Sequence, residues 1–260
     1  MFDLHCHVLP GIDDGAIDLD DSISMCRASE ADGVNAIVAT PHFIDGELNT
    51  NVEDILGKTN LLNRELEKQN ISLKVLPGME IYISPDMDKL YKDGKILTLN
   101  NKGYMLIELP LIDVFPTYIS DVLFRLQIGG IVPIIAHVER YIPIQKSPNR
   151  AYSLIEKGCL LQVNAGSLDG KFGEKAKETA EILIEHSMVH FISSDNHSMS
   201  KRYTSLKKSY DHFSNTYGRV MANNLFIRNT QAVIEGGDIE YQEPKRVEKK
   251  KKRSIFDFFK

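Results

Sequence analysis

Met1-Phe2-Asp3-Leu4-His5-Cys6-His7 opens the chain. It reads as a short apolar strand that delivers two imidazoles to its C-terminal end. Residues two apart on a strand share a face, so His5 and His7 form a pincer suited to a metal, while Cys6 points the opposite way, into the core. One such pair is weak evidence, because a single strand-end histidine is usually structural. Four later apolar runs repeat the pattern: Ala36-Ile-Val-Ala-Thr-Pro-His42, Val75-Leu-Pro-Gly-Met-Glu80, Met105-Leu-Ile-Glu108 and Ile131-Val-Pro-Ile-Ile-Ala-His137. A fifth, His190-Phe-Ile-Ser-Ser-Asp195-Asn-His197, completes the set.

Around these runs the chain alternates between strand-like and helical patterns, the signature of parallel βα units. Strands are expected over 2–5, 34–40, 73–79, 104–108, 131–136, 160–164 and 189–193. Helices are expected over 18–32, 51–69, 116–128, 148–157, 171–186, 202–216 and 219–226. Seven strands in this order predict an α/β barrel with seven strands, in which functional residues gather at the C-terminal strand ends. Each ligand-type residue above stands at such an end.

The chain has 260 residues, 42% of them hydrophobic, enough for one sizeable core. No run approaches the roughly 20 apolar residues of a membrane span. No basic segment precedes an apolar stretch at the N-terminus, so a secretory signal is not expected. Cys6, Cys26 and Cys159 form no CxxC pair, which suits a reducing, cytoplasmic setting. The net charge of −5 conceals an asymmetry: residues 244–260 hold eight Lys or Arg against two acids, so the rest of the chain carries −11. An acidic body argues against nucleic-acid binding, which wants a basic face.

Five imidazoles (His5, His7, His42, His137, His197) and four carboxylates (Asp14, Glu80, Glu108, Asp195) make nine candidate donors. One divalent ion takes three or four protein ligands and an open position, so nine suit two or three ions sharing a carboxylate. Three ions against four carboxylates leave a surplus of about +2, which attracts dianions such as phosphate monoesters. Spacing does not separate Asp14 from Asp13. Glu139 is expected behind the donors or as a loop anchor. His186, His190 and His212 are expected at a helix end, inside a strand and on the surface. Cysteine-based phosphatase chemistry needs an arginine six residues after the nucleophile; Ile12, Asp32 and Ala165 occupy those positions. Neither a Walker A nor a GxGxxG run occurs.

His5-Cys-His7, Asp13-Asp14-Gly15, Thr40-Pro41-His42, Gly78-Met-Glu80-Ile, Ile107-Glu108, Ala136-His137-Val-Glu-Arg140-Tyr141 and Ser194-Asp195-Asn-His197 resemble the PHP (polymerase and histidinol phosphatase) family over residues 1 to about 235. Within it the likeness is to bacterial manganese-dependent protein-tyrosine phosphatases that control capsule and exopolysaccharide synthesis. The resemblance implies a distorted (β/α)7 TIM-like barrel of the PHP type and a trinuclear metal site. It implies one ion held by His5, His7, Glu80 and Asp195, a second by Glu80, Glu108 and His137, and a third by Asp14, His42 and His197. Asp14 stands where many PHP proteins have histidine and the tyrosine phosphatases have Asp. Arg140 and Arg202 resemble the subgroup's substrate-binding arginines. Manganese (Mn2+) is implied; the mixed donor set is also compatible with Fe or Zn. The implied reaction is in-line attack on phosphorus by a metal-bridging hydroxide. A phenol, with a pKa of about 10, leaves with little need of a general acid.

The organisation predicted is a catalytic barrel over 1–240 and a flexible basic and aromatic tail over 241–260. Lys249-Lys-Lys-Lys-Arg253 followed by Ile255-Phe256-Asp-Phe258-Phe259 suits an anionic membrane surface, at about 1 kcal/mol per charge, or an acidic partner. The resemblance implies as substrate the phosphotyrosine-bearing tail of a membrane-associated bacterial tyrosine kinase, and hence a cytoplasmic protein working at the inner face of the membrane. Two alternatives stand beside this: a small-molecule phosphatase of the histidinol-phosphate type, and a non-catalytic, metal-bound kinase-docking protein.

Overall fold

The computed structural model describes residues 1–200 and 202–248. Nine strand segments occur: β1 Phe2–Cys6, β2 Ala36–Ala39, β3 His42–Phe43, β4 Lys74–Pro77, β5 Glu80–Tyr82, β6 Tyr104–Glu108, β7 Val132–Ile135, β8 Leu160–Asn164 and β9 Phe191–Ser193. Seven of them fall on the seven expected strands, and β3 and β5 continue two of these beyond their expected ends, each after a break. Thr40-Pro41 separates β2 from β3, since Pro41 has no N–H for the ladder. Gly78-Met79 separates β4 from β5, and there the chain hugs its neighbour: a Cβ on Gly78 would lie 2.7 Å from Val38 Cγ1.

Every registered pair is parallel, in the orders β1-β2-β4 and β3-β5-β6-β7-β8-β9. The ring closes between its first and last strands: Asp195 N donates to His5 O (2.8 Å) and His7 N to Asn196 O (2.8 Å). The expected (β/α) barrel is therefore present, distorted by its two breaks. The seven predicted helices appear as Leu19–Ala31, Val52–Lys68, Ile119–Ile128, Asn149–Glu156, Glu174–Glu185, Leu206–Tyr217 and Arg219–Asn223. The caps that sequence would choose are used, with Asp18, Asn51 and Ser205 side chains each accepting from a first-turn N–H. The last helix runs on through a π-helical turn, Asn224–Arg228, into Asn229–Glu235.

Inside the ring, Leu4, Val38, Leu76, Leu106, Ile134, Leu160 and Phe191 form an apolar plug, and Val233 of the terminal helix joins it from below. At about 1.5–3 kcal/mol per fully buried large side chain, this plug contributes substantially to the stability of the barrel. A bulge in β1 sets that layer. Asp3 pairs with Ile37 and Cys6 with Ala39, so β1 carries one extra residue. Leu4 can thus face the plug while His5 and His7 also face inward, and Cys6 joins the outer core.

Residues 241–248 are laid along the outside of the barrel. Lys245 N donates to His186 O (2.9 Å), Arg246 forks onto Glu156 and lies over the Tyr152 ring, and Val247 N bonds Asn149 Oδ1 at 2.8 Å. The tail expected from 241 thus starts as a segment held on the body, and 249–260 lie outside the described residues. Among the described residues no helix is long and apolar enough to cross a membrane.

Candidate metal centre

All nine candidate donors meet at the C-terminal mouth of the barrel, around Glu80. Its Oε2 lies 3.1 Å from His5 Nε2, 3.3 Å from His7 Nε2 and 3.1 Å from His42 Nδ1. Its Oε1 lies 2.8 Å from His137 Nε2. Asp195 Oδ1 approaches His5 and His7 at 3.4 and 3.5 Å. Glu108 faces His137 at 3.6 Å, and Asp14 faces His42 and His197 at 3.6 and 3.4 Å. Three sets of donor atoms lie close enough to hold an ion: His5, His7 and Glu80; His42, Glu80 and Glu108; and His7, Asp14, His42 and His197. His7 and His42 each belong to two sets, so they stand between neighbouring positions.

The polypeptide bends to make this cluster. His137 has φ +32° and Asp195 φ +53°, left-handed conformations that cost a non-glycine residue of order 1–3 kcal/mol and concentrate at functional sites. The ambiguity between Asp13 and Asp14 resolves: Asp14 faces the mouth, whereas Asp13 lies behind His7. His7 Nδ1 donates to Asp13 Oδ2 at 2.6 Å, and the same carboxylate accepts from the backbone N–H groups of Gly15 and His42. Glycine is required at 15, where a Cβ would lie 2.2 Å from His7 O.

β8 contributes no donor and instead orients those of its neighbours. Gln162 Oε1 accepts from His5 Nδ1 (3.2 Å) and His137 N (2.8 Å). Asn164 Nδ2 donates to Asp195 Oδ2 at 2.6 Å, and Gln162 Nε2 donates to Asn164 Oδ1. Glu139 is a loop anchor, its Oε1 accepting from Asn164 N and Ser167 Oγ. Sequence reasoning passed over Gln162 and Asn164, although two polar residues on the inner face of an otherwise apolar strand were a usable signal. His186, at the end of the helix Glu174–Glu185, bonds Ile182 O, and His212 is exposed.

These orienting bonds bear directly on metal binding. Gln162 Oε1 and the Asp13 carboxylate only accept, so each imidazole donates from Nδ1 and turns the Nε2 lone pair inward. The two Nε2 atoms face each other at 3.2 Å, and Glu80 Oε2 is buried with no hydrogen-bond partner. Converging lone pairs on buried atoms need cations between them, and a mixed imidazole and carboxylate set suits borderline divalent ions. The residues fit a polynuclear metal site.

The titration behaviour has the same origin. With no cation in the mouth, burial pushes His7 down, but the adjacent Asp13, Asp195 and Glu80 reverse this and hold it well above the usual imidazole range, so that a proton and a metal ion compete for its Nε2. Burial and then the charge on Glu80 raise Glu108 to about 8. Asp195 is lowered despite its burial, through His5, His7 and Arg202. Burial pushes the Cys26 and Cys159 thiols up to about 12 and that of Cys6 well above its ordinary value, so none of the three is a thiolate nucleophile.

Arg140 Nη1 and Arg202 Nη2 approach the two Asp195 oxygens at 3.6 and 3.0 Å. The mouth is a cavity of about 170 Å³ walled by seven of the nine donors and both arginines.

A donor ring this dense, seated on a closed parallel barrel, defines the class of metal-dependent barrel hydrolases. The chain belongs to the CpsB/CapC family of capsular polysaccharide synthesis, whose pattern it matches over residues 1–235. It is 36% identical over 259 residues to the tyrosine-protein phosphatase YwqE of Bacillus subtilis, covering all of both chains. It is 32% identical to the tyrosine-protein phosphatase CpsB of Streptococcus agalactiae, covering 90% of this chain and 98% of that one. A crystal structure described with YwqE from Bacillus subtilis and CpsB from Streptococcus pneumoniae as metal-dependent tyrosine phosphatases superposes with a TM-score of 0.91 at 35% identity, covering 96% of this chain and 100% of that one. A histidinol phosphate phosphatase from Lactococcus lactis shares the fold, with a TM-score of 0.53 at 15% identity over 85% of this chain and 93% of that one.

Proposed function

We propose that this chain is a metal-dependent protein-tyrosine phosphatase of capsule or exopolysaccharide synthesis. The observation that carries this is the convergence of nine candidate donors, the buried Glu80 at their centre, on the barrel mouth, with two guanidinium groups at the rim. The site would hold three divalent ions, manganese by the family resemblance: one on His5, His7, Glu80 and Asp195, one on Glu80, Glu108 and His137, one on Asp14, His42 and His197. When bound they supply Lewis acidity toward the phosphoryl oxygens and an attacking hydroxide at neutral pH. Gln162 holds His5, and Asp13 holds His7, in the tautomer that leaves Nε2 free. Arg140 and Arg202 fork onto phosphate oxygens and balance charge as it builds.

The relatives, named tyrosine-protein phosphatases, favour a protein substrate over a small phosphate ester. The substrate is the phosphotyrosine-bearing tail of a membrane-associated tyrosine kinase, and the basic segment 249–253 keeps the enzyme near that membrane on its cytoplasmic side. The deciding experiment compares kcat/KM on a phosphotyrosine peptide and on histidinol phosphate, with Mn2+, with chelator, and with His42→Ala. Peptide hydrolysis that needs metal and His42 is expected. Preference for histidinol phosphate overturns the substrate, and hydrolysis surviving both treatments overturns the mechanism.

A further inference from the structure

Phe172, on the loop between β8 and the helix Glu174–Glu185, lies against both rim arginines. Its ring centroid is 4.8 Å from Arg140 Cζ and 5.8 Å from Arg202 Cζ. The two arginines come from separate loops, after β7 and after β9, and both lean on Asp195, a carboxylate already facing His5 and His7. An aromatic ring attracts guanidinium groups through its quadrupole and itself takes up none of their N–H groups; Arg202 Nε and Nη2 donate to Asp195 O (3.2 Å) and Oδ1 (3.0 Å).

The seat of this ring is built. Gly166 has no side chain where a Cβ would lie 3.1 Å from Phe172 Cε2, so the ring rests directly on backbone. Lys171 Nζ donates to Tyr203 O (2.7 Å) and Thr204 Oγ1 (3.1 Å), tying the loop of Phe172 to the segment that follows Arg202.

We propose that Phe172 is a positioning residue that holds Arg140 and Arg202 as a single phosphate clamp. The proposal rests on the function argued above. Preorganised arginines lose less conformational freedom when the phosphoryl group binds, so removing the ring weakens binding more than turnover. Phe172→Leu keeps apolar bulk and removes the π face. From two cation–π contacts, KM for a phosphotyrosine peptide and Ki for inorganic phosphate should rise roughly 5- to 30-fold, with kcat changed far less and the melting temperature held. Phe172→Tyr should restore both constants. In an Arg140→Ala, Arg202→Ala background, Phe172→Leu should add nothing.

The chain contains no tryptophan, so Phe172→Trp installs a lone indole as reporter. Its emission should shift on titration with inorganic phosphate, and the shift should be lost with Arg140→Ala. Unchanged KM and Ki in Phe172→Leu, or an equal loss in the arginine-free background, overturns the clamp. If the unaltered chain shows no turnover, the function argued above falls, and the indole titration alone decides the clamp: a shift that depends on Arg140 upholds it and no shift overturns it.

Discussion

His7 and His190 are both fully buried, yet they behave in opposite ways. His7 sits at the C-terminal end of β1 among carboxylates and is held well above the usual imidazole range. His190 sits just before β9, at the other end of the barrel. It accepts from Leu161 N (3.0 Å), has the Tyr241 ring for company, and is pushed by burial down to about 4. Burial alone neutralises an imidazole; burial among anions charges it or gives it to a metal. In a parallel barrel the end of the strand decides which, because the acids gather where the strands stop.

The strongest test of this contrast is to remove the anion at its centre. Glu80→Gln should lower kcat/KM on phenyl phosphate by more than about 10³-fold, the loss of several kcal/mol of metal-dependent stabilisation, with fewer ions per chain by elemental analysis. His190→Gln should leave both unchanged at pH 7. Activity near wild type in Glu80→Gln would break the comparison at the mouth.

His190 itself should show in the pH dependence of stability. Its folded pKa is lowered, so between 6.5 and about 4 the unfolded chain binds more protons and stability falls as pH falls. The loss attributable to this residue should approach about 3 kcal/mol near pH 4. Urea unfolding of His190→Gln across that window should show a flatter profile than wild type; equal slopes would mean that burial does not neutralise His190.

A smaller effect separates the two neighbouring aspartates. Asp13→Asn should cost about 10- to 100-fold in metal affinity or kcat/KM, as for other partners of ligating histidines. Full activity would show that His7 needs no orienting carboxylate. The smallest effect belongs to the outer face, where Arg246→Ala, which removes an exposed pair with Glu156, should leave kcat/KM on phenyl phosphate unaltered.

Seven strands, seven helices and the meeting of nine candidate donors were legible because each rests on a local pattern: alternating apolar runs, cap residues, and His or acid at strand ends. What escaped depends on geometry between segments. Strict alternation places Leu4 and His5 on opposite faces, and only the β1 bulge turns both inward. Asp13 and Asp14 differ by the course of one turn. The helices Met87–Lys92, Ile142–Lys146 and Ala165–Leu168 span less than two turns and leave no readable periodicity. The terminal helix was cut at 226 because the π-helical turn shifts its apolar stripe by one residue. Phe172 went unmarked because an aromatic in a loop carries no signal until the arginines on either side are placed.

The closure between β1 and β9 has a consequence for biosynthesis. His5 and Asp195 lie 190 positions apart, so the donor ring cannot form until nearly the whole barrel has left the ribosome. At roughly 5–20 residues per second, the nascent chain presents His5-Cys6-His7 to the cell for roughly 10–40 s before Glu80 and Asp195 can both join them. During that interval the open imidazole and thiol triplet is a softer donor set than the completed ring of imidazoles and carboxylates. Folding then withdraws Cys6 into the core and brings Glu80 and Asp195 up to the two imidazoles, so the full donor set exists only once the barrel is complete.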